Sequence, residues 1–352
     1  MTRYLPENLH NVRHLAQTED GWRLALYRTT SRDNSSKVTT ERRPVLLLPG
    51  YGANHRAYFP TNARSLPEML HAHGFDPWVL EFRGTGASSA PKDHKAVVHI
   101  DAKIAFDIPA AIELIRRITG SQQVSVVGHS MGGVMLYGYL GLEPTAPVYR
   151  AVTVCSPLWF RHARAGQRSL KWQVAAAQQF VSLVSRFPAR RVMAALSYLP
   201  LEKGFHAHFH PENTAITDAR RLVRDMATDV YGSELVQLLR WFESGELTCR
   251  MGRIHYGKLL ENVQVPMLVI LANRDSVVNQ VAIRHAFERL GSTEKRLMEL
   301  DPAHGATVDY AHHDPLSGKY AATDVFPTIV DWLAAPQRPN APVEENQFAV
   351  VM

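Results

Sequence analysis

Gly128-His129-Ser130-Met131-Gly132-Gly133 follows directly on the apolar run Val124-Ser125-Val126-Val127. That order reads as a strand turning sharply into a helix with a serine at the apex, where backbone strain pushes the hydroxyl outward. Gly128 and Gly132 are small because the strand and the helix pass too close for side chains. Ser130 is thus placed to act as a nucleophile. An alcohol is a weak nucleophile at neutral pH, so it needs an imidazole within hydrogen-bond reach and a carboxylate that holds the imidazole in one tautomer. For the carboxylate, Asp275 comes after the apolar run Pro266–Leu271 through Ala272-Asn273-Arg274. The other use of Asp275 is to cap a helix that starts near Val278. For the imidazole, His304, His312 and His313 all follow the last apolar run, and the short distance from Leu300 favours His304.

The elements that must position these groups alternate along the chain. Val12–Arg28 reads as a hairpin turning at Glu19-Asp20-Gly21, followed by a polar loop over Ser31–Arg43. Pro44–Leu48 and Trp78–Phe82 read as buried strands with a helix over Leu66–His73 between them, which makes a βαβ unit. Ile108–Thr119 has helical spacing and stops at Gly120, and Val124–Val127 then feeds the serine. Arg150–Val154, Val265–Leu271 and Glu294–Leu300 read as three further buried strands, and Thr323–Ala334 as a closing helix. Such alternation predicts an α/β fold, a mostly parallel sheet flanked by helices on both faces.

Between Pro157 and Glu261 the strand signals stop. Leu170, Val174, Ala177, Val181 and Val184 form one stripe, and Arg220–Met226 and Glu234–Phe242 favour helix. The organisation expected is a core in two parts, residues 1–157 and 263–335, an inserted helical cap over 158–262, and a flexible tail over 336–352. A cap inserted between sheet strands lies over their carboxyl ends, where open α/β sheets bind ligands. Its apolar stripe either packs on the core or walls a channel for an acyl chain.

Two cysteines in 352 residues, Cys155 and Cys249, are too few for a disulfide framework and fit a reducing, cytoplasmic setting. The amino terminus has no apolar signal core, and Val265–Ala272 is far too short to cross a bilayer, so a soluble protein is expected. The formal charge of +6 is concentrated in residues 158–262, which carry 15 Lys and Arg against 9 Asp and Glu. This is a solvated helical face or a weak contact for an anionic membrane surface. Without a dense basic cluster or a binding module, nucleic acid is not an expected partner. His206, His208 and His210 would share a face if extended, but no carboxylate pair or second cluster accompanies them. Neither a metal site nor a cofactor is expected.

Taken together, these residues resemble the α/β-hydrolase superfamily over Val12–Trp332, most closely its acid-lipase-like members and the related polyester-synthase branch. The serine, aspartate, histidine order is that superfamily's chain order. Leu46-Leu47-Leu48-Pro49-Gly50-Tyr51-Gly52 stands where the family has its oxyanion loop, with Pro49-Gly50 in place of the usual His-Gly. Arg83-Gly84-Thr85-Gly86 resembles the Arg-Gly-x-Gly turn, and residues 128–133 match the nucleophile elbow. Asp309-Tyr310-Ala311-His312-His313-Asp314, leading to Val325–Trp332, is similar to the lipase pattern in which His-x-Asp carries the base. The resemblance therefore selects His312 and leaves His304 as the alternative base. It implies that the backbone N–H groups of Tyr51 and Met131 hold an oxyanion. The implied activity is hydrolysis of a small-molecule or lipid-like carboxylic ester with a hydrophobic acyl or alcohol part, through an acyl-enzyme on Ser130. Acyl transfer to an alcohol is the alternative, although polyester synthases typically carry cysteine where this chain has Ser130. A non-catalytic binding protein is a third reading.

Overall fold

A computed structural model of the chain describes residues 8–32, 42–61, 63–92, 98–158, 179, 185–199 and 202–336. Eight strands form the central sheet: β1 Leu9–Gln17, β2 Arg23–Ser31, β3 Arg43–Leu48, β4 Phe75–Glu81, β5 Val124–His129, β6 Val148–Val154, β9 Met267–Ala272 and β10 Lys295–Leu300. A short ribbon outside it pairs β7 Arg186–Phe187 with β8 Val230–Tyr231. The order across the sheet is β1-β2-β4-β3-β5-β6-β9-β10. The β1/β2 hairpin and the β2/β4 pair are antiparallel, and every other neighbour is parallel.

Strands buried on both faces need apolar residues at successive positions, and this is what β3, β5 and β9 have. On β3, Leu46 and Leu48 enter one core cluster with Trp78, Val126 and Met135. Val45 and Leu47 enter the other, with Leu70, Phe326 and Ile329. The strand expected over Glu294–Leu300 forms but is not buried throughout. It is the edge strand β10, and of its residues only Leu300 is fully buried.

Helix α1, Leu66–Ala72, starts at Ser65, whose hydroxyl accepts from the Glu68 N–H, and it connects β3 to the adjacent parallel β4. A short turn α2, Ile100–Ala102, runs through Lys103–Asp107 into α3, Ile108–Thr119, which ends at Gly120 with φ 74°. Helix α4, Met131–Leu142, is buried on nearly every side, because it lies between the sheet and the rest of the chain. The closing helix is interrupted: Ala321–Asp324 and Phe326–Ala334 are separate segments, the second with Pro327 in its first turn.

Between β6 and β9 the described residues form helices over Ala189–Leu196, Glu202–His206, Ile216–Met226 and Gly232–Ser244, together with the β7/β8 ribbon. The stripe from Leu170 to Val184 and the tail beyond Pro336 lie outside the described residues. A third apolar cluster seats this segment, with Phe205, Phe209, Leu222, Val223 and Met226 packed on Ala53 and Ala57. The Thr228 and Asn54 N–H groups fasten it further, donating to the Gly52 and Met226 carbonyls at 2.8 and 2.9 Å. Among the described residues, no helix is long and apolar enough to cross a membrane.

The turn after β4 is held by charge. Arg83 is 1 % exposed, and it donates to Asp107 Oδ1 through Nε at 2.7 Å and to the Asp20 carboxylate at 2.6 and 3.0 Å. Its own N–H reaches Asp107 Oδ2 at 2.9 Å. The hairpin turn, the β4 turn and the approach to α3 therefore share one buried cation. Asp107→Ala, which leaves the Arg83 Nε and backbone N–H without their acceptor while Asp20 still pairs the cation, is expected to cost about 3 kcal/mol in urea unfolding. Removing the exposed Glu113 partner of Arg116 should change stability by less than about 1 kcal/mol.

Candidate active site

Ser130 occupies the apex between β5 and α4 with φ 52° and ψ −121°, a conformation that residues with a side chain rarely adopt. The surrounding backbone over-determines it. The Ser130 N–H donates to the Val154 carbonyl at 2.8 Å, and the Gly133 and Val134 N–H groups donate to the Ser130 carbonyl at 3.0 and 3.1 Å. A β-carbon at Gly128 would lie 2.6 Å from the Gly133 Cα, and one at Gly132 would overlap the Leu48 carbonyl. Both glycines are thus demanded by close backbone passage.

His312 is delivered by the long loop after β10. The Arg274 N–H donates to the Tyr310 carbonyl at 2.8 Å, while Asn273 donates to Asp309 at 2.6 Å and accepts from the Tyr310 N–H at 3.0 Å. These bonds lead the loop back across the carboxyl end of β9. There the His312 Nε2 lies 2.9 Å from Ser130 Oγ and its Nδ1 lies 2.7 Å from Asp275 Oδ2. The His312 side chain is 3 % exposed and that of Asp275 is fully buried. Asp275 serves two ends at once, because its Oδ1 accepts the N–H groups of Val277 and Val278 at 2.9 and 2.8 Å. It does not cap the following helix. That helix, Gln280–Arg289, is capped by Asn279.

The alternative base, His304, lies elsewhere. It is exposed on the outer side of β10, 2.9 Å from the Asp301 carboxylate. The loop after β3 and the first turn of α4 meet beside the serine: a β-carbon at Gly50 would lie 3.3 Å from Ser130 Cβ. Met131 is the first residue of α4, so its N–H has no partner within the helix. Tyr51 adjoins Gly50; its buried hydroxyl has no hydrogen-bond partner among the described residues, and burial with the nearby Glu234 charge raises its pKa.

Three residues around this centre were given no role there by the sequence. His129 is fully buried and donates from Nε2 to the His312 carbonyl at 3.0 Å, so the elbow itself anchors the loop that carries the imidazole. Burial and the neighbouring His312 hold its pKa down at about 3. Cys155, at the end of β6, has φ 51° and lies with Asp275 and His312 in a group whose donor atoms fall within 4.8 Å of one another. Burial and the Asp275 charge push its thiol well up. His208, from the segment between β6 and β9, stacks on His313 with centroids 5.7 Å apart, and His313 stacks on Phe209 at 5.1 Å. The metal-like spacing of His206, His208 and His210 is not realised on one extended face, because Glu202–His206 is a short helix.

An imidazole placed between a serine hydroxyl and a buried carboxylate can accept the serine proton as the oxygen attacks, and the carboxylate then stabilises the imidazolium. The sheet order, the strained serine after β5 and the acid and imidazole after later strands make this an α/β hydrolase. The chain belongs to the family of serine aminopeptidases, S33, whose model matches residues 39–304. It is 24 % identical to a probable lipase of Schizosaccharomyces pombe over 365 aligned residues, covering 91 % of this chain and 76 % of that one. It is 32 % identical to the gastric triacylglycerol lipase of Rattus norvegicus over 137 residues, 36 % of this chain and 34 % of the lipase. An esterase from Exiguobacterium antarcticum shares the fold, with a TM-score of 0.59, 17 % identity, and coverage of 92 % of this chain and all of that one.

Burying neutral histidines makes stability depend on pH. The folded pKa of His129, about 3, lies below the unfolded value of about 6.5. As pH falls below 6.5, the unfolded chain takes up a proton first and stability drops, and the loss continues down to about pH 3. At pH 4.5 this one site should cost about 2–3 kcal/mol. Thermal melts from pH 7 to 4.5 should show a shallower decline for His129→Gln, which keeps a donor for the His312 carbonyl, than for the wild type.

Proposed function

We propose that this chain is a serine esterase of the lipase type, cleaving carboxylic esters with a hydrophobic acyl or alcohol part. The observation that carries the reading is the unbroken path from Ser130 Oγ through both His312 nitrogens to Asp275, at 2.9 and 2.7 Å. Ser130 Oγ attacks the ester carbonyl while His312 Nε2 takes its proton, and Asp275 holds the imidazolium through Nδ1–H. The tetrahedral oxyanion is received by the backbone N–H groups of Met131 and Tyr51. The bond to the alcohol oxygen then breaks as His312 returns the proton to it. Water, deprotonated by His312, releases the acid from Ser130.

Ester rather than peptide substrates are supported by the names of the relatives, lipases and esterases, although the family takes its name from aminopeptidases. In this reading residues 158–262 are a cap over the site. Its helix Ala189–Leu196 buries none of its residues, and Phe187, Val192, Met193, Tyr198 and Leu199 are exposed beside Arg190 and Arg191. Such a mixture of apolar and basic side chains suits an anionic lipid surface.

Turnover of nitrophenyl esters and labelling by a fluorophosphonate test the mechanism. Ser130→Ala, His312→Ala and Asp275→Ala should each lower kcat by about 10³-fold or more, with His304→Ala within about twofold of wild type. Unchanged labelling of Ser130→Ala would defeat the proposal. A panel graded by acyl length, with matched amides and with added alcohol, separates ester hydrolysis from peptidase activity and from acyl transfer, the last by the ratio of ester to acid formed. Co-sedimentation should favour vesicles containing phosphatidylserine over neutral ones, and Arg190→Glu with Arg191→Glu should remove the preference.

A further inference from the structure

Asp314 lies two residues after His312 and is fully buried, with no exposed surface. Its carboxylate gathers three donors from two separate parts of the chain. Oδ2 accepts the N–H of Ala311, immediately before His312, at 2.7 Å. The same oxygen accepts the N–H of His210 at 2.7 Å, and Oδ1 accepts the Thr214 hydroxyl at 2.6 Å. His210 and Thr214 belong to the segment inserted between β6 and β9, whereas Ala311 belongs to the loop that carries the imidazole. All three are uncharged donors, unlike the Arg83 guanidinium that meets the buried carboxylate of Asp107.

Neighbouring contacts run the same way. The His313 N–H donates to the His208 carbonyl at 2.9 Å, and the His208 and Phe209 rings flank His313. Six residues further on, the Lys319 N–H donates to the Asn213 carbonyl at 2.9 Å. Asn213 Oδ1 also receives the Tyr320 N–H at 3.3 Å. Asp314 is the one carboxylate in this seam, and a carboxylate has acceptor sites for all three donors at once. An amide in its place carries no charge, so its bonds to the two N–H groups weaken, and it turns an N–H toward Thr214, whose hydroxyl must then accept instead of donate.

We infer that Asp314 is a positioning residue: its carboxylate ties the segment carrying His208, His210 and Thr214 to the loop carrying His312, so that the imidazole reaches the serine only when that segment is seated. This rests on the serine-esterase reading, since it gives a role in placing that reading's base. The seated segment also packs on Ala53 and Ala57, just beyond the loop that holds Tyr51. Its seating therefore bears on both the base and the oxyanion loop. A displacement on the order of 1 Å at a catalytic group is enough to reduce turnover by up to ~10²-fold.

Thr214→Val is the decisive variant, because it removes one donor to Asp314 and keeps the size of the side chain. It should lower kcat about tenfold with KM within about twofold, and should shift or broaden the downfield proton resonance of His312 Nδ1–H. Thr214→Ser, which keeps the hydroxyl, should recover most of the loss and the resonance. Asp314→Asn should be at least as impaired, and adding Thr214→Val to it should cause little further loss, as expected for two groups in one interaction. A Thr214→Val enzyme with wild-type kcat and an unmoved resonance overturns the role of Asp314, as do losses that simply multiply in the double variant. If Asp314→Asn does not fold, the Thr214 pair decides alone. Failure of the underlying reading looks different: the wild type itself would then turn over no ester and leave Ser130 unlabelled, and the positioning role would fall with it.

Discussion

The close passage of helix α4 across the ends of β3 and β5 is the constraint on which the rest of the site depends. At Gly132 the helix backbone lies so near the Leu48 carbonyl that no β-carbon fits, and at Gly128 strand and helix leave room only for hydrogen. This crowding forces the turn between them into a conformation with positive φ at Ser130. The strain is compensated by bonds at both ends, from the Ser130 N–H to β6 and from the first turn of α4 back to the Ser130 carbonyl. One local approach thus puts the hydroxyl, the open N–H of Met131 and the loop after β3 within a few ångströms of one another. No side-chain chemistry is required for that part of the arrangement.

The second constraint is burial without charge. His129 is buried and His313 and His208 are half-buried, and the loss of hydration opposes their protonation. As neutral rings they stack and interlock as aromatic residues would. His129 adds a directed bond to the His312 carbonyl. The elbow therefore presents the Ser130 hydroxyl and also fixes the backbone of the residue that faces it. Asp275 is divided in a similar way. One of its oxygens closes its own turn and the other holds His312, so the carboxylate has little freedom to rotate away.

A third feature is the interlock between the inserted segment and the sheet. The segment is not merely laid over the strands: it shares a cluster of apolar side chains with the loop after β3 and a seam of hydrogen bonds with the loop after β10. Both loops border Ser130. A motion of the segment therefore reaches the two sides of the site through packed side chains and through bonds, the kind of contiguous contact that physical coupling requires.

Much of this was legible in the residues. The apolar runs are strands because continuous burial in a parallel sheet needs them, and the elbow is recognisable because glycine at fixed spacing has one steric use there. Of the two uses foreseen for Asp275, contact with the imidazole is formed, whereas the helix that follows is capped by Asn279 and Asp275 closes only its own turn. Edge status was missed, although Lys295, Arg296 and Glu299 are charges that suit a border strand: the reading followed Leu297, Met298 and Leu300 alone. Spacing alone did not give the facing imidazole: distance along the chain pointed to His304, whereas the likeness of Asp309–Asp314 to the lipase pattern selected His312. The loop that folds back over β9 brings His312 to the serine and leaves His304 in solvent. What the chain determines by itself is what repeats locally, namely the strand and helix periods and the steric demand of a tight turn. Which groups from distant segments meet depends on loop paths and on shared burial, and these exist only once the whole sheet and the segment across it have formed.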